Sequence, residues 1–361
     1  MPAILAVAAS GVLLFVQVAL AIGMFETISV YIRKSGGELW ITSPATPSID
    51  QGRPLSGNIE AFVRMNPHVT RVEPFSWGGG IWRSRATTET IFVYLTGVDP
   101  ADAGLILNGA LPLDLRRRLR EPFTVVIDIA EREKLGVQLG DVAEINGIRV
   151  KVVGFVRGMR ALGAVNVIAS LSTARRIDTS MQNNDQVAYF VAKVDDPHRV
   201  EDVQRALSPQ GDNARYEALT ADDFADRTTR FWILSSGMGV MFLVSGIIVF
   251  LVSLAITSQT LMAAVAASLP EYATLRALGV PLRDLRGVVL KQAMWIGGLG
   301  LAIGALLAGI VVIIAALMFV PIGFNTSIIA GCAALLIVVA VASGLAGLTQ
   351  LSKADPAALL R

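Results

Sequence analysis

Clustered charges and glycines mark the places where this sequence could do chemistry. Glu271-Tyr272-Ala273-Thr274-Leu275-Arg276-Ala277-Leu278-Gly279 has the pattern of a short amphipathic helix stopped by glycine, the residue that most readily takes the left-handed conformation after a helix end. Val280-Pro281 breaks the pattern, and Leu282, Leu285, Val288 and Val289 begin a second helix. With its arginines, the segment suits either a plain connector or a docking surface for another protein. Arg116-Arg117-Arg118 with Arg120 forms a basic cluster, readable as a solvated face, a partner contact or an anion site of the lipid-headgroup kind. Gly78-Gly79-Gly80 between Trp77 and Trp82 reads as a ligand loop or, more simply, a flexible turn between strands. His68 and His198 are both set among charged or polar residues, which favours solvated surface over a metal site.

Other reactive patterns are missing. No G-x-x-x-x-G-K-S/T loop cradles a phosphate, and no H-E-x-x-H, C-x-x-C or G-x-S-x-G occurs. The sole cysteine, Cys332, lies in an apolar run, so no disulfide forms within one chain. The sequence therefore predicts a non-catalytic protein without metal or cofactor. A formal net charge of +2 gives no basic excess for nucleic acid.

The elements that position these residues follow from where charge is absent. Residues 1–25 carry none, Phe231–Pro270 is an uncharged run of 40, and Gln292–Ser352 is another of 61. A bilayer core needs about 20 apolar helical residues, so the runs have room for four crossings: Ala3–Phe25, Trp232–Ile256, Ala293–Met318 and Ser327–Leu348. A cleaved signal peptide ending near Ala19-Leu20-Ala21 is the competing reading of the first, but it lacks a positive n-region and the run is long. The missing basic residues before Ala3 suit a chain that begins later than its native gene product. Pro321, Gly323 and Asn325 predict a tight turn between the third and fourth spans. Arg276, Arg283, Arg286 and Lys291 outnumber Glu271 and Asp284, which places that loop and the C-terminus in the cytosol and block 26–230 outside. Gly300 with Gly304, and Ala340 with Gly344, are small-residue pairs for helix packing within the chain or for a homodimer seam.

The expected fold is thus an α-helical membrane protein of four spans, with a large α+β extracytoplasmic domain inserted between helices 1 and 2. Its segments are 1–25 (first span), 26–230 (outer domain with helical stalks at both ends), 231–268 (second span), 269–291 (cytosolic loop), 292–350 (third and fourth spans) and 351–361 (tail). Within the outer block, Asn146-Gly147 between apolar runs predicts a hairpin. Strands are expected near Glu89–Leu95, Phe123–Ile127, Ala164–Ala169 and Gln186–Val194, and helices near Ala130–Leu135, Ser172–Ile177 and Pro197–Leu207, forming one or two subdomains. Thr220 is a candidate cap for a helix running unbroken to Ala267, a lever roughly 70 Å long at about 1.5 Å per residue.

Leu275-Arg276-Ala277-Leu278-Gly279 after Glu271 resembles the coupling helix of the MacB/FtsX-like ABC permease family. Lys353-Ala354-Asp355-Pro356-Ala357-Ala358-Leu359-Leu360-Arg361 is similar to that family's C-terminal ending, and Val126-Ile127-Asp128, Leu135-Gly136-Val137, Leu139-Gly140-Asp141 and Val152-Val153-Gly154 resemble its extracytoplasmic domain. Ser29–Pro44, with Glu38-Leu39-Trp40-Ile41, is closest to the DevC-type branch. The resemblance implies a homodimeric permease in a bacterial inner membrane, with its large domain in the periplasm and energy from a separate cytosolic ABC ATPase that binds the ATP. It also implies a periplasmic adaptor, an outer-membrane duct and a lipid or glycolipid as cargo. Glu271, Leu275, Arg276, Ala277, Leu278 and Gly279 would then make the ATPase contact. The alternative is an FtsX-like regulator that activates an extracytoplasmic cell-wall hydrolase and moves no substrate. Relatives usually open with a basic cytosolic helix, a feature this sequence does not show.

Overall fold

In the computed structural model the described residues are 2–85, 89–160, 165–179, 186–208, 214–268, 271, 274–275, 278–318, 320–323, 325–327, 330–335, 337–338 and 341. They fall into two units. One comprises Met1–Met24 with Gly239–Arg361, the other Phe25–Met238.

In chain order the helices are α1 (Pro2–Ile28), α2 (Val30–Arg33), α3 (Ile59–Arg64), α4 (Leu113–Arg118), α5 (Arg132–Leu135), α6 (Leu171–Ile177), α7 (Val200–Leu207), α8 (Ala221–Leu234), α9 (Met238–Ala267) and α10 (Leu282–Leu317). The strands are β1 (Leu39–Thr42), β2 (Leu55–Ser56), β3 (Val69–Arg83), β4 (Ile91–Val98), β5 (Thr124–Asp128), β6 (Val142–Ile145), β7 (Ile148–Val156), β8 (Val165–Ser170), β9 (Gln186–Val187), β10 (Tyr189–Val194) and β11 (Glu217–Thr220).

Among the described residues of the Phe25–Met238 unit, nine strands form one sheet in the order β11-β1-β10-β3-β4-β8-β5-β7-β6. Strand β3 is 15 residues long and serves two partners in turn. Its first half pairs with β10, Phe75 opposite Tyr189. Its second half pairs with β4, Gly79 opposite Tyr94. The end of β3 then meets β6, Trp82 opposite Ile145, so the last six strands close on themselves and leave no edge there. Trp82, Leu95, Ile127, Val152 and Val167 pack as one core in this part. In the four-stranded part both faces are covered. Trp40 joins a core with Phe75, Tyr189 and Phe224, while its neighbours Leu39 and Ile41 join another with Phe190 and Val203. The two-residue alternation of a strand divides them between the faces. The two expected subdomains therefore share a strand within a single compact unit.

Local signals explain several elements. Asn146 (φ 51°) and Gly147 (φ 80°) make the β6–β7 hairpin turn with both residues left-handed, the requirement that Asn-Gly meets best. The Ser170 hydroxyl accepts from Thr173 N–H at 3.3 Å, and Thr220 accepts from Asp223 N–H at 3.0 Å. Each thereby satisfies a first-turn donor of α6 or α8 that would otherwise lack a partner.

Two expectations are corrected. Gly78-Gly79-Gly80 is not a turn but the middle of β3. Pairing with β4 outweighs the local turn preference of glycine, and the Phe92 ring covers the bare backbone, since a Cβ on Gly79 would stand 2.8 Å from it. The unbroken helix 220–267 is also absent. The chain leaves α8 after Leu234 and enters α9 at Met238, with Gly237 at φ 78°. The Ser236 hydroxyl donates to Trp232 O at 2.5 Å and accepts from Met238 N–H at 3.2 Å. A serine that bonds the local backbone, followed by a left-handed glycine, ends one helix and starts the next.

In the other unit, three helices are long and apolar enough to cross a membrane: Ala3–Ile28, Met238–Thr260 and Leu290–Leu317. The fourth expected span, 327–348, falls largely outside the described residues, as does the tail 351–361. Gln17 on α1 donates to the Ser245 hydroxyl on α9 at 2.9 Å. Ser10, Ser253 and Thr257 are fully buried and bond one another across the same pair of helices. After α10, Gly323 N–H donates to Ala19 O at 3.0 Å. Gly23 lies so close to Pro321 that a Cβ there would reach its carbonyl oxygen at 2.4 Å. Replacing Gln17 with alanine should weaken the α1–α9 pair by about 0.6 kcal/mol, read as a small fall in the thermal midpoint in detergent micelles.

Candidate functional site

Between α9 and α10 the described residues are few, and they mark a helical stretch that stops at a glycine. Glu271, Thr274 and Leu275 are helical, and Leu278-Gly279 is a turn with Gly279 at φ 92°. Leu278 N–H donates to Thr274 O at 3.1 Å and Val280 N–H to Leu275 O at 3.1 Å. The second bond reaches back five residues over a left-handed glycine, as in a Schellman stop. Pro281 then caps α10 in extended conformation, since its fixed ring cannot continue the preceding helix. The turn holds Leu278 out, 77% exposed, next to Leu275, 40% exposed. Two exposed apolar side chains on one turn offer a contact surface and carry no reactive group. Arg276 and Ala277, expected here with Glu271 and Leu275, lie outside the described residues.

The small-residue pairs part company. Gly300 and Gly304 on α10 face α1 of the same chain. A Cβ on Gly300 would stand 2.7 Å from Val7, and one on Gly304 would stand 2.9 Å from the Ala8 carbonyl oxygen. Close backbone approach between two spans is what this spacing permits. Ala340 and Gly344 lie outside the described residues.

In the Phe25–Met238 unit the arginine cluster divides: Arg117, Arg118 and Arg120 stand on an exposed face, as expected, and Arg116 does not. Arg116 is fully buried, and donates to Asp99 O at 2.6 Å and Ile106 O at 2.5 Å. Arg118 donates to Val153 O at 3.0 Å. Arg117 and Arg120 both bond Asp102, at 2.8 and 2.6 Å, and the Arg117 hydrogen bond holds that carboxyl below its ordinary value. The cluster is thus largely spent inside the chain. Its loop grips the segment after α2: Gly36 N–H donates to Leu105 O at 2.7 Å, Gly109 N–H to Lys34 O at 3.0 Å, and Leu107 N–H to the Ser35 hydroxyl at 3.2 Å. Nothing local in the sequence marks Arg116 for burial.

His68 pairs with Asp195, 3.1 Å away, and that hydrogen bond holds the Asp195 carboxyl below its ordinary 3.8. Its contribution to stability is therefore in place above that value and is lost as pH falls below it. No group of three or more metal-ligating side chains occurs among the described residues.

An aromatic cleft does occur. Trp77 and Tyr94 stand edge to face with centroids 5.2 Å apart, and Tyr94 and Phe92 likewise at 5.4 Å. With Asp50 and the Gly78-Gly79 backbone they line a cavity of about 220 Å³. A smaller hollow shares Trp77, Tyr94 and Asp50 and adds Tyr31 and Trp232. The glycine run beside Trp77 was the visible signal.

Comparison with known families settles the class. The MacB-like periplasmic core domain matches residues 3–210, more than half the chain, and the FtsX-like permease C-terminal domain matches 243–356. The chain belongs to the MacB/FtsX-like permease family. Members of this family are ABC transporter permeases, generally non-catalytic membrane subunits that work with ABC ATPase partners. Solved structures similar to this permease include the periplasmic region of MacB from Actinobacillus actinomycetemcomitans, at 15% identity and a TM-score of 0.37, covering 54% of this chain and 94% of that one. Another is the extracellular domain of the noncanonic ABC-type transporter YknZ from Gram-positive bacteria, at 15% identity and a TM-score of 0.33, covering 51% and 98%. A domain of a putative permease protein from Porphyromonas gingivalis is similar at 14% identity and a TM-score of 0.31, covering 51% and 86%. No curated protein matches this permease.

Proposed function

We propose that this permease is the membrane subunit of an ABC-type exporter of the DevC-type branch. A separate cytosolic ATPase pushes the turn at Glu271–Gly279, and the membrane helices pass the motion to the periplasmic unit. There it drives export or extraction of a lipid or glycolipid through a periplasmic adaptor and an outer-membrane duct. The working form is a homodimer in a bacterial inner membrane.

The observation that carries this reading is the exposed Leu278 on a glycine-stopped turn between two membrane-spanning helices. Loop charge puts that turn on the cytosolic side, where an ATPase would meet it. The polar contacts between spans, Gln17–Ser245 and Ser10–Ser253–Thr257, are neutral, so the bundle has packing chemistry where a proton or ion path would place charge.

Leu278→Asp puts a charge into the contact and should lower co-purification of the ATPase at least about tenfold, since burying an apolar side chain of this size is worth about 1.5–3 kcal/mol. Gly279→Val forces a branched side chain into left-handed backbone and should act the same way. Full recovery of the complex with both variants would sink the proposal. The second reading, an FtsX-like activator of a cell-wall hydrolase, draws on the C-terminal match at 243–356. The MacB-like match over 3–210 favours export, and a pull-down returning a hydrolase in place of an adaptor would reverse that preference.

A further inference from the structure

We infer that the aromatic cleft of the Phe25–Met238 unit is a binding site for a small organic ammonium ion, a role that goes beyond the export reading and stands without it. The walls are Trp77, Tyr94 and Phe92, with Tyr94 nearly perpendicular to both neighbours at 78° and 83°. Rings set at right angles form the corner of a box, and ring faces attract cations through their quadrupoles. The floor is the Gly78-Gly79 backbone, with the Phe92 ring standing over Gly79 at one side. Phe92 already serves a structural purpose by covering Gly79, yet it remains 53% exposed, so a ligand can reach the ring.

Asp50 supplies the charge. Among the described residues it is the only charged side chain lining either hollow, and it is exposed. Its carboxylate is also held in place: one oxygen accepts from the Ser48 hydroxyl and, at 3.2 Å, from Trp232 Nε1. Among the described residues no lysine, arginine or histidine lines the space, so its charge favours a cation over a phosphate or carboxylate. At about 220 Å³ the cavity is smaller than the ~300 Å³ at which drug-sized sites begin. It takes one cationic head carrying methyl groups or a short chain, and excludes a whole phosphodiester headgroup.

The test uses the full chain in an uncharged, non-zwitterionic detergent and needs no ATPase, so it can fail while the export reading holds. Benzyltrimethylammonium is titrated calorimetrically against its uncharged tert-butyl isostere. The cation should bind saturably and at least about tenfold more tightly than the isostere, in line with an aromatic face and one carboxylate acting together. Asp50→Asn keeps the hydrogen-bonding shape and removes the charge; it should weaken the cation about tenfold and leave the isostere unchanged. Phe92→Leu should weaken the cation severalfold. Equal binding of cation and isostere to the unaltered chain would overturn the inference. So would tighter binding of inorganic phosphate, or phosphatidylcholine vesicles competing where the free cation does not bind.

Discussion

Arg116→Ala is expected to cost the Phe25–Met238 unit about 3–5 kcal/mol, as two buried carbonyls each lose a charge-assisted donor worth about 1.5–3 kcal/mol. Those carbonyls, of Asp99 and Ile106, belong to a loop whose folded position depends on the guanidinium. Glu73, buried beside it, accepts from Arg71 at 2.5 Å and from Leu105 N–H at 2.8 Å, and would be left with one neighbouring cation fewer. Even Gly104 is shaped around Arg116, since a Cβ there would run into its guanidinium at 2.1 Å. A urea titration followed by Trp fluorescence should show the midpoint fall by most of the unit's stability margin, and limited proteolysis should open the 99–111 loop first. Arg116→Lys should recover only part, because a single ammonium cannot serve two carbonyls with the fork geometry of arginine. A loss below about 1 kcal/mol would mean that water replaces the side chain without difficulty.

Gly304→Leu should destabilise the helix unit by about 3 kcal/mol, at the upper end of what overpacking costs. The added Cβ alone would stand 2.9 Å from the Ala8 carbonyl oxygen and 3.3 Å from its Cα. Both are backbone atoms, which cannot rotate away, so α1 and α10 must move apart. Gly309 on the same helix is the control, with nothing within 4 Å of an added Cβ, and Gly309→Leu should be silent. Thermal unfolding in detergent, with a cysteine crosslink between α1 and α10, reads both effects. Unchanged stability together with loss of a dimer would move the seam to a surface between two chains.

Elements whose cause is local were legible in the sequence. The Asn146-Gly147 hairpin, the Thr220 cap and the Gly279 stop each depend on a few neighbouring residues with a conformational preference of their own. What escaped was set by distant partners. Glycine at 78–80 reads as a turn until β4, at least eleven residues further on, supplies a pairing partner and an aromatic lid. Arg116 reads as surface because lysine and arginine almost never lie fully buried unless paired; its acceptors are backbone carbonyls, and a carbonyl leaves no mark in a sequence. The break at Ser235-Ser236-Gly237 was present in residue type, but the apolar run around it carried the stronger helical signal. At the coupling turn, Leu278 and Gly279 were legible as a glycine-stopped helix end. The aromatic cleft was half visible: Trp77 and the glycines were adjacent in sequence, whereas Asp50 and Tyr94 come from elsewhere.

Strand β3 belongs to three cores at once, through Phe75, Trp82 and Val72, and is bonded to β10 along one half and to β4 and β6 along the other. No core can melt while the others keep their share of that strand, so denaturation of this unit should be a single all-or-none event despite three separate interiors. The strand also makes assembly late and non-local, because its partners are scattered from Ile91 to Val194 and must be gathered before the interiors close. A nascent chain is therefore committed to exposing apolar surface until nearly 200 residues have been made.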